Sequence, residues 1–322
     1  MIKILANDGI HPEGKKLLEA AGFQVDVQKI AQEELMAKLP AYDAIIVRSA
    51  TRVRQDLIDA CPRLKIIARG GVGLDNIDLD YAEQKGIAVF NTPAASSRAV
   101  AELVFAHAFS LARMLHQSNR DMPIKGATEF KTLKNNFSKG FQLSGKTLGI
   151  IGFGRIGQEV AKIGIGMGMR IVATDPYIKE AKISLGALGY EDNRITVTIH
   201  TSGMDEVLQN ADILTLHVPF LGKKPIIGAE ELDKMKNGAM LINTSRGGVV
   251  DETALILALD SGKLAGAGLD VFKNEPTPDT SILQHSNISL SPHSGAETQE
   301  AQVNIGIELA EQIIAFFASE KH

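Results

Sequence analysis

The sequence predicts an α/β protein of two doubly wound parallel-sheet domains, on three observations. Short β-rich runs alternate with helical patterns, the alternation runs through the chain twice, and a glycine-rich turn joins strand to helix at the start of the second run. At 322 residues the chain exceeds the length at which one hydrophobic core keeps growing, so two cores are expected.

In the first run, strands are expected at Ile2–Ala6, Val25–Gln28, Ala44–Arg48, Leu64–Arg69 and Ile87–Asn91, with helices between them, the first of them after Pro12. Turn and cap residues in NTPAASSRAV close this run, and a long helix from Val100 to about Asn119 leads out of it. The Lys- and Asn-rich stretch Lys125–Lys139 has no strong periodic pattern and reads as a loop. Strands resume at Thr147–Ile151, Arg170–Asp175, Ile213–His217, Ala239–Asn243, Ala265–Asp270 and Ile288–Ser291. The closing segment Glu297–Phe317 is helical and is expected to return to the first domain.

Composition excludes little but points consistently. With 44% hydrophobic and 22% charged residues and a formal net charge of -4, nothing overall favours nucleic acid. The single cysteine, Cys61, can form neither an intrachain disulfide nor a thiol-rich zinc site, which suits a reducing compartment, and no metal is expected. MIKILAND begins as a strand rather than a signal peptide, and no apolar run is long enough for a bilayer. A cytoplasmic protein is expected.

The strongest local motif is Gly152-Phe153-Gly154-Arg155-Ile156-Gly157, a G-x-G-x-x-G turn between an apolar strand and a helix. The first glycine permits the tight turn, the second lets backbone approach a pyrophosphate, and the third lets helix pack on strand; helix N-terminal amides then hold phosphate. Eighteen residues on from Gly157 the next strand ends in Asp175, a carboxylate suited to ribose hydroxyls and hostile to a ribose phosphate, which favours NAD over NADP. The alternative role for Asp175 is a turn-forming acid before Pro176.

Hydride transfer from a hydroxy acid also needs a carboxylate anchor, a base for the hydroxyl proton and a partner for that base. Arg246, His293 and Glu275 each lie at the end of an expected strand, where ligands of open α/β sheets gather, and their residue types match those roles.

The motifs VRSAT, ARGGVGLDNID, FNTP, VAEL, GKTLGIIGFGRIG, LHVP, MLINTSRGGVVDE, GLDVFKNEP and SPHSG, in that order, closely resemble the D-isomer-specific 2-hydroxy acid dehydrogenase family over nearly the whole chain, and within it most resemble the phosphoglycerate dehydrogenases. The resemblance implies a Rossmann NAD-binding domain, 99–296, inserted into a flavodoxin-like substrate domain, 1–98 plus 297–322, with the active site in a cleft. It implies Arg246 as carboxylate anchor, His293 as acid/base and Glu275 as its partner. For the cofactor it implies Arg155 and Ile156 at the pyrophosphate, Asp175 at the ribose, Val218 and Pro219 beside the adenosine half, and Thr92, Thr244 and Asp270 near the nicotinamide. For the substrate it implies Gly71 and Val72 amides at the carboxylate, with Arg48 and Ser49 facing the distal group. Arg48 is the main reason to expect D-3-phosphoglycerate, and so the first step of serine biosynthesis; a glyoxylate or hydroxypyruvate reductase is the alternative. A NAD-sensing corepressor is the rival of another class, disfavoured by the intact triad. The resemblance further implies a homodimer through the helix near Val100, and no serine-binding regulatory domain.

Three features depart from the family. Ala95-Ser96 stands where Gly-Asn is common, FLGKKPII replaces a threonine-rich segment after LHVP, and YEDNRITVTIHTS resembles an insertion with a hairpin pattern.

Overall fold

The computed structural model describes residues 1–186, 195–220, 222 and 224–319. Two compact units emerge, one from Met1–Ser97 with the C-terminal segment from Ala296, the other Arg98–Gly295.

The first unit is a five-stranded parallel sheet of β1 (Lys3–Ala6), β2 (Gln24–Asp26), β3 (Ala44–Val47), β4 (Ile66–Arg69) and β5 (Ala88–Asn91), in the order β2-β1-β3-β4-β5. This is the flavodoxin-like order, with its switch point between β1 and β3. Sheets covered on both faces need continuous apolar strands, and the four residues AIIV of β3 are all buried. Ile45 and Val47 pack with Leu35, Leu39 and Leu57 on one face; Ala44 and Ile46 pack with Ile305, Leu309 and Ile313 on the other. Those last three belong to the helix Gln299–Ser319, which lies across the helix Pro12–Ala20. The helices approach so closely at Gly14 that a Cβ there would stand 2.2 Å from the Gly306 carbonyl oxygen.

The second unit is built on β6 (Thr147–Ile151), β7 (Arg170–Thr174), β8 (Glu180–Leu185), β9 (Ile195–His200), β10 (Ile213–Leu216), β11 (Ala239–Asn243), β12 (Leu264–Leu269) and β13 (Ile288–Leu290). Its main sheet is parallel in the order β13-β12-β11-β10-β6-β7. This is a Rossmann order; among the described residues an isolated parallel bridge, Ala173–Thr201, rather than a full strand, stands beyond β7. The helix Ser97–Ala112 packs on β12 through glycines: a Cβ at Gly266 would lie 2.9 Å from Leu111, and one at Gly268 2.8 Å from His107.

Two expectations are corrected. The helix begun near Val100 ends at Ala112, where Met114 takes a left-handed φ of 53°, and a second helix, Leu115–Asn136, covers most of the stretch read as loop. Only Leu133 of that helix is buried, so it lacks the apolar stripe that signals a helix; Pro123 lies inside it and Glu129 breaks its regular φ/ψ. The hairpin expected in YEDNRITVTIHTS has its second arm there, as β9. Its first arm is β8, upstream of that segment, and Tyr190–Arg194 lie outside the described residues. Strand alternation explains the hairpin: Ala181, Ile183 and Leu185 with Val197 and Ile199 turn onto the core, while Lys182, Thr196 and His200 are exposed.

Candidate active site

The fingerprint has the stereochemistry its glycines predict. Gly152 has φ 91° and packs against the His217 carbonyl, where a Cβ would stand 2.4 Å from the oxygen. A Cβ on Gly157, buried in the helix Arg155–Gly166, would lie 2.2 Å from the Gly152 oxygen. Gly154, the N-cap, has open space where a Cβ would be, as a backbone that must approach a ligand requires. Arg155 is exposed and Ile156 half-buried on the first turn.

The Asp175 carboxylate serves the turn as well. One oxygen accepts from Phe153 N at 2.8 Å, tying the end of β7 to the fingerprint; the other accepts from Tyr177 N and Ile178 N at 2.8 and 3.0 Å. A carboxylate has about four acceptor positions, so capacity for a ribose hydroxyl remains.

Across the carboxyl ends of the neighbouring strands, two buried polar atoms have no hydrogen-bond partner: Thr244 Oγ1 after β11 and His217 Nδ1 after β10. Burial pushes the His217 imidazole down to about 3, so it is neutral. Unpaired buried polar atoms are costly, and their position in line with the glycine turn fits a dinucleotide with polar groups. Val218 is half-buried and Pro219 exposed beside them.

On the loops after β12 and β13, His293 Nδ1 and Glu275 Oε2 are 2.7 Å apart. Glu275 Oε1 accepts from Phe272 N at 2.8 Å, which fixes the carboxylate. The Glu275 hydrogen bond raises the imidazole above its ordinary 6.5, against a lowering by burial. Burial raises the Glu275 carboxyl, but the His293 bond, the Phe272 amide and the nearby charges of His293 and Arg246 outweigh it, leaving it below its usual range. Arg246 thus acts electrostatically on both members of the pair, and its Nη1 donates to the Ser245 carbonyl at 2.6 Å.

Asp270, expected near the nicotinamide, is 1% exposed and directs its carboxylate into the His293 loop. Nothing in the sequence signalled that His107, 4% exposed, would hydrogen-bond beneath this loop; a lone histidine in an apolar helix looks like core.

In the first unit, Arg48, Gly71 and Thr92 follow the adjacent strands β3, β4 and β5. The Arg48 amide donates to Asp8 Oδ2 at 2.8 Å, and its guanidinium Nη2 is paired with Glu297 Oε1. Ser49 is exposed. The Gly71 amide donates to Thr92 Oγ1 at 2.8 Å and the Thr92 amide donates back to the Gly71 carbonyl at 3.0 Å, so the two loops are tied together after β4 and β5. Val72 is 37% exposed, while Thr92 is fully buried.

Among the described residues no cluster of His, Cys, Asp or Glu could hold a metal ion, and no helix is long and apolar enough to cross a membrane.

Comparison with known proteins places this geometry in context. The D-isomer specific 2-hydroxyacid dehydrogenase NAD binding domain matches residues 105–295. The D-3-phosphoglycerate dehydrogenase of Methanocaldococcus jannaschii is 42% identical over 97% of this chain; the chain spans only 57% of that relative's length. The hydroxypyruvate reductase of Thermotoga maritima is 42% identical over 97% of both chains. Among solved structures, an acyclic imino acid reductase in complex with NADPH and D-Arg has a TM-score of 0.84 at 29% identity, covering 99% of this chain and 98% of that one. A glyoxylate reductase from Paecilomyes thermophila has 0.81 at 29%, covering 97% and 94%.

Proposed function

Because the chain belongs to the D-isomer specific 2-hydroxyacid dehydrogenase family, we propose that it interconverts a D-2-hydroxy acid and its 2-oxo acid with NAD. The observation that carries this reading is the 2.7 Å His293–Glu275 pair, with Arg246 within electrostatic reach, in the unit that holds the glycine fingerprint. Bound, the nicotinamide supplies the hydride acceptor for oxidation and the donor for reduction.

In oxidation, His293 Nε2 takes the hydroxyl proton, and Glu275 on Nδ1 stabilises the imidazolium and fixes the ring. In reduction the same ring returns the proton to the carbonyl oxygen. Arg246 holds the carboxylate and polarises the carbonyl through charge-assisted hydrogen bonds. By the family resemblance Arg48 and Ser49 would face the tail, and the amides of Gly71 and Val72 would meet the carboxylate.

For the tail, D-3-phosphoglycerate is the first candidate, supported by Arg48 at the end of β3 and by the names of relatives such as that of M. jannaschii. The product would be 3-phosphohydroxypyruvate, as in the opening step of serine biosynthesis. A second reading, D-glycerate and hydroxypyruvate, is favoured by one specific observation: Glu297 already neutralises Arg48. Rates of NADH consumption with 3-phosphohydroxypyruvate, hydroxypyruvate and glyoxylate test both; NADH binding without turnover of any 2-oxo acid would defeat the enzymatic reading. A cytoplasmic homodimer completes the proposal, and light scattering at the monomer mass would remove the dimer.

A further inference from the structure

His293 is held in a conformation that side chains rarely adopt: its φ is 53°. Something must over-determine that backbone, and the structure shows what does. Three consecutive amides converge on Asp270. His293 N donates to its backbone oxygen at 2.8 Å, Ser294 N to Oδ1 at 2.8 Å and Gly295 N to Oδ2 at 3.0 Å.

Asp270 is itself steered from below. The Ser291 hydroxyl donates to Asp270 Oδ1 at 2.6 Å, and Ser291 Oγ lies 2.9 Å from His107 Nε2. Because the Ser291 proton is committed to Asp270, Ser291 receives a hydrogen bond from His107, whose proton is therefore on Nε2. Nδ1 lies 3.0 Å from the Ser289 hydroxyl, whose oxygen is also 3.3 Å from Ser110 Oγ. Burial pushes the His107 imidazole below its ordinary range, opposed by the charge of Asp270 and aided by that of His116, which keeps one N–H and one lone pair on the ring. The absence of a side chain at Gly268 is what admits His107 this close to β12.

We propose that His107 is a positioning residue: through Ser291 and Asp270 it locks the left-handed loop that aims His293 at the reacting hydroxyl. The proposal rests on the reading of His293 as the proton carrier. A merely structural histidine would affect stability and every kinetic constant together, whereas a positioning one affects the chemical step.

The test uses the full chain with NADH and hydroxypyruvate, and 3-phosphohydroxypyruvate in parallel. Ser291→Ala should lower kcat on the order of tenfold, less than the 10²-fold a full ångström of misplacement can cost. KM and the NADH dissociation constant should stay within about twofold, since Arg246 and the glycine fingerprint are untouched and Asp270 keeps its bonds from the amides of Ser294 and Gly295. Ser291→Thr, which keeps the hydroxyl, should restore kcat. His107→Leu should match Ser291→Ala, and the double variant should be no slower than the slower single one, because all three break one line of bonds. Should His107→Leu not fold, the Ser291→Ala and Ser291→Thr pair decides alone.

A kcat for Ser291→Ala within twofold of wild type, or an equal loss in Ser291→Thr, overturns the proposal. His293→Ala measured alongside separates the two failures. If His293→Ala is slow and Ser291→Ala is not, only the relay falls; if His293→Ala turns over normally, the proton-carrier reading falls and takes the relay with it.

Discussion

Replacing Glu297 by glutamine removes one negative charge from the Arg48 guanidinium while preserving the shape of the side chain. A phosphate gripping the opposite edge of the guanidinium would stand roughly 5 Å from the carboxylate, where each pair of unit charges costs about 1–3 kcal/mol between the dielectric of water and that of a protein surface. The side chains are 31% and 45% exposed, so solvent and salt screen this towards the lower limit. With a phosphate of nearly two charges, about 1.5 kcal/mol remains, or roughly tenfold in kcat/KM. A hydroxyl tail carries no charge and should respond by less than about twofold on the same arithmetic. The assay is NADH consumption by wild type and Glu297→Gln on 3-phosphohydroxypyruvate and hydroxypyruvate at low ionic strength. The ratio of the two kcat/KM values should move about tenfold towards the phosphorylated acid and shrink as salt is added. A ratio unchanged within twofold would refute the idea that Glu297 and the substrate tail share Arg48.

Further outcomes follow from the same geometry. Oxidation needs neutral His293, so its rate should rise with pH through a midpoint above 6.5, while reduction falls through the same midpoint; Glu275→Gln should move both midpoints to lower pH, and an upward or absent shift counts against the pairing. The same elevation means that, while Glu275 is ionised, the pair stabilises the fold fully below the unfolded histidine's pKa and loses that contribution as pH rises through the folded one, which thermal melts across that window would register. Gly157→Ala, whose Cβ would meet the Gly152 oxygen at 2.2 Å, should lower the melting temperature by several degrees. Gly154→Ala has open space and should leave melting unchanged while weakening NADH binding, as calorimetry and titration would show.

The sheets were legible because both are covered on both faces, so their strands appear as short continuous apolar runs such as AIIV, TLGII and AMLIN, each buried throughout. The helix Leu115–Asn136 was not, because a helix with one buried residue carries no stripe to read. At the site, His293, Glu275 and Arg246 were individually visible as reactive types at strand ends, yet their pairing depends on loops that only the folded sheet aligns. The Arg48–Glu297 contact joins residues 249 apart, and no local pattern reveals it. The Gly71–Thr92 hydrogen bond is likewise long-range, joining the ends of two strands, and no local pattern reveals it.

The role of His293 is decided by comparing wild type with His293→Ala, with NADH affinity measured by fluorescence titration and turnover measured across the 2-oxo acid panel. With His293 as the proton carrier, kcat falls by roughly 10²–10⁴-fold on every acid the wild type reduces, while NADH affinity stays near that of wild type. Wild-type turnover in the variant, or loss of NADH binding in step with activity, would contradict the assignment of His293 as the proton carrier.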